Sequence, residues 1–248
     1  MLKQPLLNTY VNNLNFEEAV RSIDQLILKG IPAFVVEINV DVVLKLENDS
    51  YFKEIADRAD MVLVDGQPLV WIAKWHKRPV KEKVSGSDLV LGICKLAQDK
   101  GYTIFILGGR NGVSEQAAEN LRKDFPDIVI AGTYEPPLGF DKDEEELKKI
   151  NHMISRVHPD ILLACLGCPK QEKWIFENYL KYGAKVSVCA GATVDFLAGR
   201  IKRAPKWMSN HGLEWFYRFL NEPRRLFKRY FIDDIKIIRL IWKYRNKE

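Results

Sequence analysis

The sequence predicts an α/β protein, a largely parallel sheet flanked by helices, that continues into an all-helical C-terminal appendage. Three observations lead there. Short apolar runs alternate with segments whose apolar residues recur at helical spacing. Most of these runs close on glycine or a polar turn. Beyond Arg203 the alternation ends and only helical patterns remain, rich in Trp, Tyr, Phe and Arg.

Residues 16–29 (FEEAVRSIDQLILK) have helical spacing and stop at Gly30; AFVVEI, residues 33–38, then reads as a buried strand that runs into Asn39. Two short helical stretches lead to MVLVDG, residues 61–66, a strand that stops on Asp65-Gly66. Helices are expected over 67–77 and 86–99, a strand at TIFILGG (103–109), a helix over 111–124 and a short strand at IVIAG (128–132). A helix over 143–156, a strand at DILLACLG (160–167), a helix opening near Pro169 and a strand at KVSVCAG (185–191) continue the β-α-β order. In such sheets functional groups gather where strands end.

The chain has 248 residues, 47% of them hydrophobic, enough for a sizeable core. No segment reaches the roughly 18 apolar residues of a spanning helix, and the N-terminus lacks the apolar stretch of a secretory signal. Four cysteines without a disulfide framework suit a reducing compartment, so a cytoplasmic location is expected. The net charge of +5 is unevenly placed. Residues 200–248 carry 14 Lys/Arg against five Asp/Glu, whereas residues 1–199 carry 24 against 28. A boundary near residue 199 therefore separates a slightly acidic body, 1–199, from a basic appendage, 200–248, that faces an anionic partner. Within the appendage, Arg229, Asp233, Lys236, Lys243 and Lys247 follow one helical stripe and aromatic and aliphatic residues fill the rest. That pattern fits a helix lying in a bilayer interface, or one that packs on a core with its charges solvated.

Asp65, at a strand end before glycine, should project into the crevice at the sheet edge, where burial raises a carboxyl toward the range of a general base; the bland alternative is a cap for the next helix. Gly108-Gly109-Arg110-Asn111-Gly112 joins a strand to a helix and would let backbone N–H groups approach a phosphate, although a plain tight turn accounts for it equally. Cys165 and Cys168 have knuckle spacing without a second pair, which favours small residues at a strand end over a metal or redox site. Pro169-Lys170-Gln171-Glu172 opens a helix toward the same crevice as Asp65. Asp141-Lys142-Asp143 has a D-x-D form, but its place before EEELKKI favours a helix N-terminus over a metal site. Arg203, Glu214, Trp215, Arg218, Arg224, Arg225, Lys228 and Arg229 form a cationic, aromatic cluster suited to a diphosphate.

Assembled, these motifs resemble the WecG/TagA/CpsF family of bacterial glycosyltransferases, glycosyltransferase family 26, over nearly the whole chain. The resemblance rests on Asn39, Asp65-Gly66, Val84-Ser85-Gly86-Ser87-Asp88-Leu89, Leu107-Gly108-Gly109, Gly167-Cys168-Pro169-Lys170-Gln171-Glu172, Asp195-Phe196-Leu197-Ala198-Gly199, Lys202-Arg203-Ala204-Pro205 and Gly212-Leu213-Glu214-Trp215-Phe216-Tyr217-Arg218 with Glu222-Pro223-Arg224. It implies a Rossmann-like core of the GT-E type and an inverting, metal-independent transfer without a cofactor. The implied donor is a UDP-sugar and the implied acceptor an undecaprenyl-diphosphate-linked saccharide, in cell-surface polysaccharide synthesis. It further implies peripheral attachment to the cytoplasmic face of an anionic membrane. On this pattern Asp65 is the base and Asn39 lies beside it. Gln171 and Asp195, with Gly108, Gly109 and Lys83, serve the nucleotide-sugar. Arg203, Arg218, Arg225, Lys228 and Arg229 serve the diphosphate or acceptor. Four stretches depart from the family: Thr-x-Asn is Glu37-Ile38-Asn39, Pro-Asp-Gly is Val64-Asp65-Gly66, the Arg before Val-x-Gly is Lys83, and the glycine-rich strand end before the Asp-Phe pair is Cys189-Ala190-Gly191-Ala192-Thr193. They leave the donor sugar open. A homo-oligomer fits the pattern as well as a monomer.

Two rival classes remain. A nucleotide-sugar oxidoreductase or epimerase needs a dinucleotide fingerprint and a Tyr-x-x-x-Lys pair, but Tyr179 is followed four residues on by Gly183. A non-enzymatic nucleic-acid-binding protein would use the basic tail, and the acidic body and apolar helix face count against it.

Overall fold

In the computed structural model the described residues are 2–205, 208 and 212–245, with backbone alone at 225. Strands β1 (Lys3–Leu6) and β2 (Thr9–Asn12) form an antiparallel hairpin ahead of α1 (Phe16–Lys29). Then follow β3 (Ala33–Ile38), α2 (Val40–Asn48), α3 (Ser50–Arg58), β4 (Met61–Val64), α4 (Gln67–Trp75), α5 (Gly86–Lys100), β5 (Thr103–Gly108), α6 (Val113–Asp124) and β6 (Val129–Tyr134). The body closes with α7 (Glu144–Val157), β7 (Ile161–Cys165), α8 (Lys170–Asn178), β8 (Val186–Cys189) and α9 (Thr193–Leu197). β3 to β8 form one sheet in the order β4-β3-β8-β7-β5-β6, and every pairing in it is parallel.

The strands are apolar on both faces because both faces are covered. Phe34, Val36, Ile38, Val62, Val64, Phe105, Leu107, Leu162 and Ala164 join one buried cluster with residues of α2, α3, α4, α7 and α8. Val35, Met61, Leu63, Ile104, Ile106, Ile161, Leu163, Val186 and Val188 join a second with α1, α5, α6 and α9. The period of two along each strand thus sorts alternate residues into two cores. The predicted α/β class and parallel sheet are observed.

The N-terminal hairpin is absent from the sequence reading. Its strands are four residues each and the first contains Pro5, so the alternation is too brief to register. Its role is to close the β4 edge: Asn12 Oδ1 accepts the Val62 N–H at 2.7 Å, and the Tyr10 hydroxyl donates to the carbonyls of Asp57 and Ala59 at 2.9 and 3.0 Å. α6 begins at Val113, not at residue 111, because Asn111 and Gly112 sit at φ 57° and 78° and form the turn.

The tail holds α10 (Glu214–Asn221), α11 (Pro223–Lys228) and α12 (Ile237–Lys243). The helical stripe expected from Arg229 onward does not lie on one continuous α-helix: residues 229–233 make a wide π turn and 234–236 a tight 3₁₀ turn before α12 begins. α12 docks on the body through buried Leu240, a contact at 3.1 Å between His76 Nε2 and the Ile241 carbonyl, and Lys243 and Tyr244 on Glu47 at 2.6 and 2.9 Å. Its other side stays exposed: Ile238 and Trp242 are 55% and 61% accessible, and Trp75 meets Trp242 edge-on at 5.7 Å. The core-packing reading of this helix is thus observed on one face, and the opposite face is apolar and exposed. Lys247 of the expected stripe lies outside the described residues. Among the described residues no helix is long and apolar enough to cross a membrane.

Candidate active site

The ends of β3 and β4 deliver Asn39 and Asp65 side by side. Asp65 extends its strand pairing by one bond, its N–H donating to the Ile38 carbonyl at 2.8 Å. It does not cap α4: Gly66 holds that position, at φ 143°, without any side-chain cap bond. Asn39 does cap, its Oδ1 accepting the Val42 N–H at 3.1 Å, and its amide bonds the Asp65 carboxylate. Val84 donates its N–H to the Val64 carbonyl at 2.9 Å, which brings Lys83 to the same strand end.

The tail completes this corner. Glu214 on α10 accepts from Lys83 at 3.1 Å and from Arg218 at 2.7 Å, and the Arg218 guanidinium lies 5.0 Å from the centre of the Phe196 ring. Burial pushes the Asp65 carboxyl above its ordinary range and Glu214 adds to that push; Arg218, Lys83 and the Asn39 amide oppose it. Burial also works upward on Glu214, but Arg218 and Lys83 outweigh it and hold that carboxyl below its ordinary range. Asp65 is thus the more proton-avid of two neighbouring carboxylates, as a base requires.

Three hollows run in series across the C-terminal edge of the sheet. The largest, about 500 Å³, is lined by Gly108, Gly109, Gly167, Lys170, Gly191 and Asp195. The second, about 320 Å³, shares Gly167, Gly191 and Ala192 with the first and adds Glu37, Gln171, Glu172 and Asp65. The third, about 110 Å³, is lined by Lys83, Glu214, Trp215 and Tyr230. Asn39, Asp65, Arg218 and Arg229 border both the second and the third.

The structure divides the sequence-predicted residues among these hollows. Gly108, Gly109 and Asp195 line the first and Gln171 the second, where its Oε1 accepts the Gly191 N–H at 3.1 Å. Gly108 is obligatory, since a Cβ there would stand 2.2 Å from the Cys165 carbonyl oxygen. The N–H groups at the start of α6 are not open: Glu135 accepts those of Gly112 and Ser114 at 2.9 and 2.8 Å. Lys83 stands in the third hollow, away from the glycines. Arg203 turns elsewhere, pairing with Asp88 and with Ser87 Oγ. Lys228 is exposed and borders none of the three hollows, and the Arg225 side chain lies outside the described residues. Asp143 caps α7 and Asp141 pairs with Lys170 at 2.7 Å. Cys165 and Cys168 are free thiols that burial pushes up, Cys165 to about 12. Among the described residues no group of three His, Cys, Asp or Glu side chains could hold a metal ion.

Glu37 was not among the predicted site residues, nor was Glu172. The available signal was a carboxylate inside the apolar run AFVVEI, where β3 is otherwise buried.

A model of the glycosyl transferase WecG/TagA/CpsF family matches residues 4–248. Similar curated proteins include the N-acetylglucosaminyldiphosphoundecaprenol N-acetyl-beta-D-mannosaminyltransferase of Bacillus spizizenii, 30% identical over 193 residues, which span 78% of this chain and 73% of that protein. The proteins of the same description from Bacillus subtilis and Staphylococcus aureus MRSA252 are each 28% identical, over 195 and 194 residues, and 74% of each is covered.

Proposed function

The chain belongs to the WecG/TagA/CpsF family of glycosyltransferases, and from that membership we propose that it moves an N-acetylhexosamine from a UDP-sugar to an undecaprenyl-diphosphate-linked saccharide of a cell-surface polysaccharide. The observation that carries this reading is the position of Asp65, whose carboxyl borders both the inner hollow and the hollow built with the tail. The uridine diphosphate lies in the glycine-lined hollow, its sugar reaches into the second, and the acceptor enters by the third. Lys83, placed in that last hollow, belongs to the acceptor side in this arrangement.

Asp65 takes the proton of an acceptor hydroxyl, whose oxygen attacks the anomeric carbon as the bond to the diphosphate breaks. The attack comes from the face opposite the leaving group, so the configuration inverts. The leaving diphosphate is already a stable anion and needs no proton, and its growing charge is met by Arg200 and Lys170, which line the same hollow, without a metal ion. The acceptor's own diphosphate is met by Arg218 and Arg229. The tail rests on an anionic membrane surface through exposed Phe227, Ile238 and Trp242, with Arg224, Lys228 and Arg239 beside them.

Transfer from a UDP-N-acetylhexosamine to a lipid-diphosphate sugar, measured for the full chain and for Asp65→Asn, tests the reading. The variant should fold, bind UDP unchanged and lose at least about 100-fold in kcat. Full turnover by the variant would remove Asp65 as the base.

A further inference from the structure

We propose that Glu37 and Glu172 form the subsite that selects the donor's sugar, admitting a neutral ring that offers hydroxyl hydrogens and rejecting a ring that carries its own carboxylate. The inference rests on the reading of a nucleotide-sugar in the inner hollow.

Glu172 is only 1% exposed, and it borders that hollow from α8. Its Oε1 accepts the Gln171 amide at 2.9 Å and the Cys168 thiol lies beside the carboxyl, while its Oε2 has no partner of good hydrogen-bond geometry among the described residues. Glu37, from β3, borders the same hollow, and its Oε1 is likewise shielded and without a partner among them. Two shielded carboxyl oxygens without partners are unfavourable unless a ligand supplies hydrogen-bond donors.

The surroundings are shaped to the Glu37 carboxyl. A Cβ on Gly86 would stand 2.2 Å from Glu37 Oε2, so a glycine at the start of α5 makes room for it. The cations at the hollow each have an acidic partner: Lys45 has Asp41 at 2.8 Å and also the Cys168 carbonyl at 3.3 Å, Arg218 has Glu214 at 2.7 Å, and Arg229 has Asp41 at 3.8 Å. Two donor atoms without partners among the described residues, Arg218 Nε and Arg229 Nε, come from the tail. What the sheet side leaves open is therefore acceptor capacity, which matches ring hydroxyls or an amide N–H. Burial pushes Glu172 up to about 7, and burial with the charges of Asp65, Glu172 and Asp88 pushes Glu37 well above the carboxylate range. A sugar carboxylate would add another acid to three that already resist ionising together.

Titration calorimetry on the full chain with UDP, a UDP-N-acetylhexosamine and the matching UDP-N-acetylhexosaminuronate tests the subsite, repeated on Glu37→Gln and Glu172→Gln, which alter it from two different elements. The unsubstituted protein should bind the neutral donor on the order of 100-fold more tightly than the uronate, and the variants should narrow that ratio about 10-fold. Equal binding of the two sugars, or an unchanged ratio in both variants while UDP still binds, overturns the subsite and leaves the donor reading standing. Failure to bind any of the three ligands overturns the donor reading and the subsite with it.

Discussion

Glu172 gives the site a measurable pH signature. Its carboxyl titrates near 7 in the folded chain against an ordinary value of 4.5, so the native state holds a proton that the unfolded state releases. The stability this contributes is fully present below pH about 4.5 and is lost as pH rises to about 7, on the order of 3 kcal/mol in all. Glu172→Gln should therefore be more stable than the parent at pH 8 and close to it at pH 4, read by urea unfolding at both values; a constant difference across that range would contradict the assignment. At this scale the sequence is informative where a polar residue ends an apolar run, which is why Asp65 and Asn39 are legible. It is silent on partners. Nothing in the string tells that Arg203 pairs with Asp88 or that Glu135 closes the start of α6, because those contacts join segments far apart in sequence.

At the scale of elements, α10 acts on the Asp65 carboxyl from outside the sheet. Glu214 pushes the Asp65 carboxyl upward and also engages Lys83 and Arg218, the two cations that pull it down. Glu214→Gln removes the push and frees both cations, so the Asp65 pKa should fall. The acid limb of the kcat/KM profile should then move to lower pH, and an unmoved limb would show that the two carboxyls are not coupled. The π turn after α11 has a comparable bearing on the site. A wide turn shifts the helical register, and Arg229, Tyr230 and Asp234 of the interrupted stretch all border the third hollow. The parallel strands and their helices are legible because their periodicities differ clearly. The hairpin and the π turn are not, since one is too short and the other leaves the residue pattern nearly unchanged.

Across the whole molecule, the described tail meets the body both at the Asp65 corner, through Glu214, and away from it, through α12. Removing the residues beyond 199 should leave a folded sheet with a lower melting temperature, because Leu240 and the Glu47 contacts are lost. Transfer should fall by at least about 100-fold, as Arg218 and Arg229 go with the tail. The same truncation should abolish sedimentation with vesicles rich in anionic lipid, and for the full chain that binding should weaken as salt is raised. Sedimentation that survives truncation would place the membrane contact on the body. The basic tail is legible from its charge count alone, but its reach into the hollow beside Asp65 depends on packing that the count does not encode.

The serial arrangement of the three hollows bears on the order of events in each catalytic cycle. With donor and acceptor placed at opposite ends as proposed, meeting at a single carboxyl, both substrates should be held at once, and initial-velocity lines should intersect instead of running parallel.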